Sequence, residues 1–164
     1  MKQSGFTLVE LLATLAVIAI LVGLAMPGLA GLIEAQQRLV AARELANGIR
    51  TARVAAITRN QAVSIQAIDQ DWSNGWRIIA GRPAQQTEEQ LLLERALSGK
   101  TRIVGNTKVA QKLSFTGLGG LQGGGNGTLH ICLKNQQLSH YQVVVAITGH
   151  VRIIEASSAE PLCG

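Results

Sequence analysis

Hydrophobic residues fill the first part of the chain and become periodic further on. From Phe6 to Met26 almost every position is apolar, and these 21 residues would form about 31 Å of helix, close to the thickness of a bilayer core of about 30 Å. Lys2 precedes the run and places the N-terminus on the cytoplasmic side by the positive-inside rule. We therefore predict one membrane-spanning helix, with the rest of the chain beyond the membrane.

A single carboxylate interrupts this apolar run. Glu10 lies four residues after Phe6, and a charge at the centre of a membrane helix costs about 2.5–3.5 kcal/mol on insertion scales. The residue therefore needs a partner or a function. The alternative to a membrane helix is a cleaved secretory signal with small residues at Gly28-Leu29-Ala30, but the run is longer than the roughly 7–15 apolar residues of such a signal.

From Leu29 to Arg59 the pattern becomes amphipathic, with apolar residues recurring mostly every three, four or seven positions. The predicted buried face of this helix consists of Leu32, Ile33, Val40, Leu45, Ile49, Ala52, Ala56 and Ile57. Five arginines lie mostly off that face and indicate either solvated positions or contact with an anionic partner. They are Arg38, Arg43, Arg50, Arg53 and Arg59. Pro27, with Gly28 and Gly31 nearby, predicts a kink between the two helical halves.

After Asn60 the period shortens to the alternation of β-strands. Ala62–Ile68 and Trp76–Ile79 flank a turn-rich stretch and predict a hairpin, whereas Gln90–Leu97 fits either a strand or a short helix. Further strands are predicted at Arg102–Val104, Lys112–Phe115, Thr128–Lys134, Tyr141–Ile147 and Val151–Ile154. The pattern predicts an α+β fold in which a long N-terminal helix packs on a C-terminal antiparallel β-sheet domain.

Composition adds few constraints. Fifteen Lys and Arg against ten Asp and Glu give a net charge of +5, which permits anionic partners without requiring them. Seven of the eleven residues from Gly117 to Gly127 are glycine, but the phosphate-loop pattern is absent, so the segment predicts a mobile loop between strands.

No constellation of catalytic or metal-binding residues stands out. His130, His140 and His150 are spaced evenly by ten, without the partners that a metal site or a catalytic triad needs. We therefore expect no enzyme activity, cofactor or metal. Cys132 and Cys163 lie 31 residues apart. In an oxidising compartment they predict a disulfide that fixes the tail, and the alternative is two buried, unpaired thiols.

The N-terminal residues "MKQSG" and "FTLVE", followed by the apolar run, resemble the processing site of a type IV prepilin. The resemblance implies that prepilin peptidase cuts between Gly5 and Phe6 and that a methyltransferase N-methylates Phe6. It also implies that Glu10 pairs with the new amino terminus of a neighbouring subunit in a filament. Charge pairing favours such assembly because a buried carboxylate and a buried ammonium are each costly alone.

This resemblance sets the expected domain organisation. It implies a leader peptide at 1–5, a transmembrane and assembly helix at 6–27, an amphipathic continuation at 28–60 and a periplasmic β-rich domain at 61–164. We expect a single-pass inner-membrane protein that enters a filament, at or near its tip. Its expected partners are prepilin peptidase, the inner membrane and other pilin or pseudopilin subunits.

Later segments resemble the GspH/FimT branch of pilin-like proteins: "ARVAAITRNQAVSI", "LSFTGLGGL", "GTLHICL" and "VVVAITGHVRI". That branch includes minor pseudopilins of type II secretion systems, minor pilins of type IV pili and minor pilins that bind DNA. The resemblance implies a minor pilin or pseudopilin that serves secretion or pilus biogenesis. The alternative is a DNA-binding minor pilin for DNA uptake in natural transformation.

The DNA-binding members carry Gly-Arg-x-Arg, and the matching "GHVR" at 149–152 has histidine in place of the first arginine. From Arg95 through Ile154 the chain has seven basic residues and no acidic one, a pattern that favours phosphate contact. The candidate contacts to double-stranded DNA are Arg152, His150, Lys134, Lys112 and Lys108.

Overall fold

The computed structural model describes residues 7–81, 90–98, 101–132, 137–155 and 162–163, and within the helix it leaves out the side chains at 25–28 and 30. One long helix, α1 (Leu8–Arg59), precedes the strands. The chain divides into two compact units, Met1–Gln36 and Gln37–Gly164. The second half of α1 therefore belongs to the same unit as the strands.

The described strands form two four-stranded antiparallel sheets. In chain order they are β1 (Val63–Ala67), β2 (Gly75–Ala80), β3 (Gln90–Ala96), β4 (Arg102–Gly105), β5 (Lys112–Phe115), β6 (Gly127–Cys132), β7 (Ser139–Val145) and β8 (Val151–Glu155). The first sheet has the order β3-β2-β1-β5 and the second β4-β6-β7-β8. The predicted α+β class is confirmed, and the ambiguous segment at Gln90–Leu97 is a strand.

Two sheets replace the single sheet that the alternating pattern predicted, because the chain changes sheets three times, between β3 and β4, β4 and β5, and β5 and β6. β4 joins the second sheet beside β6, where Ile103 lies opposite Ile131. β5 then returns to the first sheet beside β1, where Leu113 lies opposite Ile65. Alternation identifies a strand and its buried face, whereas the choice of partner depends on non-local packing and connections.

Both sheets and α1 share one hydrophobic core. The fully buried helical residues are Ala42, Leu45, Ala46, Ile49, Ala52 and Ala56. Four residues of the predicted buried face behave differently and are 45–65 % exposed: Leu32, Ile33, Val40 and Ile57. Leu32 and Ile33 precede Gln37, where the strand-containing unit begins, so strands of that unit do not bury them.

The outer strands of the two sheets also contact α1 through polar side chains. Arg95 of β3 forms an ion pair of 2.6 Å with Glu44 of α1. On the other side, Arg50 of α1 donates to the Val151 carbonyl of β8 at 3.2 Å. The C-terminal half of α1 is therefore tied to one edge strand of each sheet.

The predicted transmembrane segment, residues 6–27, includes Phe6 and several side chains that lie outside the described set. In the part of the chain that the structure describes, no helix is long and apolar enough to cross a membrane. The backbone at residue 27 is helical, and the Pro27 side chain is among those left out, so the kink there stays a prediction.

Close packing of α1 against β2 yields the first prediction. A Cβ at Gly48 would lie 2.5 Å from Nε1 of Trp76, which is 2 % exposed. Gly48→Ala should therefore lower the free energy of unfolding by about 1–3 kcal/mol through overpacking, although alanine favours helix by about 1 kcal/mol. Urea unfolding followed by tryptophan fluorescence measures this change.

Gly31→Ala is the matched control, because no atom lies within 4 Å of the added Cβ. That substitution should leave the unfolding transition of the strand-containing unit unchanged. Equal stability of Gly48→Ala and the parent chain would contradict the proposed steric role of Gly48.

Candidate assembly site

The first turn of α1 fixes Glu10 through a helix cap. The Glu10 N–H lies 3.3 Å from the Thr7 hydroxyl, and the Leu11 N–H donates to the Thr7 carbonyl at 3.1 Å. Thr7-x-x-Glu10 matches the capping-box pattern, in which Ser or Thr at the N-cap is followed by Glu three residues later. Sequence reasoning missed Thr7, although this spacing was visible.

The helix after this cap is apolar around its whole circumference. Within its own unit, its large side chains from residue 8 to 24 are 48–74 % exposed. These side chains are Leu8, Val9, Leu11, Leu12, Leu15, Val17, Ile18, Ile20, Leu21, Val22 and Leu24. A helix that is hydrophobic on all sides needs to be covered by protein or lipid.

Glu10 carries the one charge between residues 7 and 33. Its carboxylate is exposed and makes no ion pair within the described residues. The predicted cleavage and methylation positions, Gly5 and Phe6, lie outside the described residues, so their roles stay predictions.

The predicted disulfide is present at the other end of the chain. Cys132, at the end of β6, is bonded to Cys163 with a Cα–Cα distance of 6.2 Å. Both cysteines are fully buried, and the Cys163 N–H donates to the Gln137 carbonyl at 3.0 Å. The bond therefore fixes the C-terminal tail to the second sheet.

The histidines in the described strands do not form a metal site. Nδ1 of His130 lies 3.3 Å from the Ser139 hydroxyl, and burial lowers the pKa of His130. The pKa of His140 is lowered by burial and then by the positive charge of Arg38. No group of three or more metal-ligating side chains occurs among the residues that the structure describes.

Two tight turns with the same hydrogen-bond pattern lie close together near the end of α1. In the turn after β5, the Gly119 N–H donates to the Thr116 carbonyl at 2.8 Å. In the turn between β7 and β8, the Gly149 N–H donates to the Ala146 carbonyl at 2.8 Å. Both glycines have a φ of +80°, which is strained for other residues.

Arg53 of α1 joins these two turns. Its Nε donates to the Gly119 carbonyl at 2.9 Å, and its Nη2 donates to the Thr148 carbonyl at 3.2 Å. A Cβ at Gly149 would collide with the Gly119 carbonyl and the Arg53 side chain. Arg50 and Arg53 therefore bind backbone carbonyls of their own chain. The sequence had predicted that these arginines are either solvated or in contact with an anionic partner.

The described candidate DNA-binding residues fall into two pairs of sequence neighbours, Lys108 with Lys112 and His150 with Arg152. Arg152 is exposed on β8, at one edge of the second sheet, and His150 is exposed immediately before that strand. Lys108 follows β4, at the opposite edge of that sheet, and Lys112 begins β5 in the first sheet. Lys134 lies outside the described residues. Among the described candidates, His150 and Arg152 lie at one sheet edge, and Lys108 and Lys112 do not share that edge.

Two further residues of the predicted DNA-binding segments, Gly149 and Arg95, have structural roles. Gly149 of the "GHVR" stretch makes the tight turn against Arg53. Arg95, one of the seven basic residues, is paired with Glu44.

Comparison with known proteins agrees with these features. The Type II transport protein GspH family matches residues 41–149, which is more than half of the chain. The chain belongs to the GspH family. The prokaryotic N-terminal methylation motif matches residues 1–26 of this GspH-family chain. No significant match was found among curated protein sequences.

Solved structures similar to this GspH-family chain are pilin-like. The type IV minor pilin FimU of Pseudomonas aeruginosa PAO1, in space group P21, has a TM-score of 0.67 and 25 % identity over 80 % of this chain and 98 % of that one. A second crystal form of FimU, in space group P65, has a TM-score of 0.64 and 26 % identity over 77 % of this chain and 99 % of that one.

The minor pseudopilin EpsH of the Vibrio cholerae Type 2 Secretion System has a TM-score of 0.57 and 14 % identity, over 75 % of this chain and 99 % of that one. At this identity the likeness supports the fold alone. With the two family matches, these comparisons identify a minor pilin or pseudopilin, a structural subunit rather than an enzyme.

The contacts of Arg53 predict a stabilising role. Arg53→Ala should lower the free energy of unfolding by about 1–3 kcal/mol, since two charged hydrogen bonds to backbone carbonyls are lost. Arg43→Ala, at an exposed position on the same helix, is the control and should have little effect. Equal unfolding midpoints for both variants in urea would contradict a role for Arg53 in joining the turns.

Loss of the disulfide should loosen the tail. Because the bond closes a 31-residue separation, Cys163→Ser should destabilise the fold by about 2–4 kcal/mol and lower its melting temperature under oxidising conditions. Reduction of the parent chain should produce a similar decrease. An unchanged melting temperature, together with two reactive thiols in the native parent chain, would exclude the bond.

Proposed function

We propose that this chain is made as a prepilin, cut between Gly5 and Phe6, N-methylated at Phe6 and assembled into a type IV pilus or a type II secretion pseudopilus. Prepilin peptidase and the methyltransferase act on it as a substrate. Before assembly, the chain is anchored in the inner membrane with its strand-containing unit in the periplasm. Other pilin or pseudopilin subunits are its partners in the filament.

The observation that carries this proposal is the helix that follows Glu10. Its apolar side chains face outward on every side, and the methylation motif covers the same region, residues 1–26. Such a surface can be stored in lipid and then transferred to a bundle of similar helices, since both environments keep apolar side chains from water.

The charge of Glu10 favours transfer of the helix from the membrane to the filament. In lipid, its carboxylate is costly, whereas in a filament it can pair with the α-amino group created at Phe6 of a neighbouring subunit. The helix cap at Thr7 fixes the backbone of the first turn, in which Glu10 lies. Assembly is therefore favoured over retention in the membrane once a neighbour is available.

The disulfide is consistent with a periplasmic location for the strand-containing unit. Disulfides persist in oxidising compartments, and the periplasm is one of them. This observation supports export of the second unit.

The alternative of DNA uptake has no observation in its favour. The described basic candidates do not all lie at one sheet edge, and Gly149 and Arg95 have structural contacts. DNA binding through Arg152 and its neighbours stays a prediction from the sequence.

Glu10→Gln tests the assembly mechanism, because it removes the charge and keeps the side-chain shape. The variant should insert into the membrane and lose its leader normally, while its ratio of filament-bound to membrane-bound chain falls at least about tenfold. Quantitative immunoblotting of separated filament and membrane fractions measures this ratio. Glu34→Gln, in the same helix, is the control. Normal incorporation of the Glu10 variant would contradict the role assigned to its charge.

A further inference from the structure

A surface cleft of about 340 Å³ lies between the connection from β1 to β2 and the strand β4. The connection, residues 68–74, belongs to the first sheet, whereas β4 is an edge strand of the second sheet. We propose that this cleft binds a small zwitterion, namely a free α-amino acid with an apolar side chain. This inference is independent of the proposed function, in which the cleft takes no part.

Two opposite charges line the cleft without neutralising each other. Arg102 is exposed and forms no ion pair or hydrogen bond with any residue that the structure describes. The Asp71 carboxylate is also exposed, and it accepts a hydrogen bond from the Ser73 N–H at Oδ1, at 2.8 Å. Its Oδ2 accepts none from the described residues. A ligand with one negative and one positive group can bind both side chains through charge-assisted hydrogen bonds.

A buried hydroxyl adds a donor for the ligand's carboxylate. Ser73 lines the cleft and is only 8 % exposed. Its Oγ accepts the Ile103 N–H at 3.0 Å, and no described residue accepts the hydroxyl proton. Since a buried donor without an acceptor is costly, a bound carboxylate would stabilise this hydroxyl. The Ser73 hydroxyl and the Arg102 guanidinium therefore form the carboxylate side of the site.

The ammonium side of the site consists of oxygen acceptors. Gln70 and Gln111 both line the cleft, and Nε2 of Gln111 donates to Oε1 of Gln70 at 3.2 Å. This bond leaves Oε1 of Gln111 as an acceptor beside the Asp71 carboxylate, without a donor among the described side chains. An α-ammonium group has three donors and can use both oxygens.

The rest of the lining is apolar and suits the side chain of the ligand. Trp72, Ile103 and Val104 contribute to it. Ligand sites in proteins typically have volumes of about 300–1,000 Å³ and combine apolar walls with a few polar groups, so this cleft is at the small end of that range. Its size therefore favours a ligand as small as an amino acid.

The walls of the cleft are held in place by the fold itself. The indole N–H of Trp72 donates to the carbonyls of Val109 and Ala110, at 3.0 and 2.9 Å, and so fixes the loop after β4. Gln70 has a φ of +62°, a left-handed conformation that is uncommon for glutamine and that occurs preferentially at ligand sites. A preorganised site loses little conformational entropy when the ligand binds.

The test compares L-leucine with two analogues that each keep one of its charges. Isocaproate has the carboxylate alone, and isoamylamine has the ammonium group alone. Isothermal titration calorimetry of the full chain in detergent micelles measures the three dissociation constants at neutral pH. Leucine should bind at least about tenfold more tightly than either analogue, because only leucine pairs with both charges of the cleft.

Charge-removing variants locate the binding. Asp71→Asn keeps an oxygen for the Ser73 N–H, so the fold should be retained, as an unchanged melting temperature would verify. Asp71→Asn and Arg102→Gln should each weaken leucine binding about tenfold, while Asp71→Asn should bind isocaproate at least as well as the parent chain does. Arg152→Gln is the matched control, because Arg152 is exposed on the opposite edge strand of the same sheet.

Three results would overturn the inference. Absence of saturable leucine binding to the parent chain at about 10 mM would exclude the site. Equal affinities for leucine and isocaproate would exclude recognition of a zwitterion. Equal weakening by Arg152→Gln and Arg102→Gln would place the binding outside the cleft. Filament entry of the parent chain is a separate measurement, so the proposed function stands or fails independently of these results.

Discussion

Burial of one face of α1 in a core shared by two sheets is the contact on which the rest of this structure depends. Small residues at Ala42, Ala46, Ala52 and Ala56 let the helix approach both sheets closely. Gly48 makes room for the indole of Trp76 in the same way. Arg53 then joins two turns to the helix, so the position of the helix sets the position of both turns.

The same helix has two different surroundings along its length. From Ala41 to Ala56 one face is covered by strands of its own unit, whereas from Leu8 to Leu24 every side is exposed within the unit to which it belongs. A filament subunit requires this division, because its core must be complete before assembly while its assembly surface must remain available. Under the proposed function, lipid covers the exposed helix first and neighbouring helices cover it afterwards.

Periodicity alone predicted most of the elements, because local patterns determine them. The change at Asn60 from helical to alternating spacing marks the end of α1, and the predicted strand at Lys112–Phe115 matches β5. The partition into two sheets was not predictable, since β4 and β5 choose partners far away in the chain. The roles of Arg50 and Arg53 were missed for the same reason, because their carbonyl partners lie 66–101 residues away.

Some residues of the candidate site were identifiable from the sequence and others were not. Glu10 was identifiable because one charge in an apolar run conflicts with its surroundings, and Thr7 could have been found from its spacing to Glu10. The "GHVR" stretch was a weaker guide, since a glycine in a motif can serve a turn rather than a ligand.

Intact mass spectrometry of the full chain, purified from cells with their own prepilin-processing enzymes, tests the central claim most directly. The account predicts a protein that lacks residues 1–5 and carries one methyl group on the amino terminus of Phe6. Retention of residues 1–5, or cleavage near Ala30 with loss of the whole apolar segment, would contradict the account of this chain as a processed filament subunit.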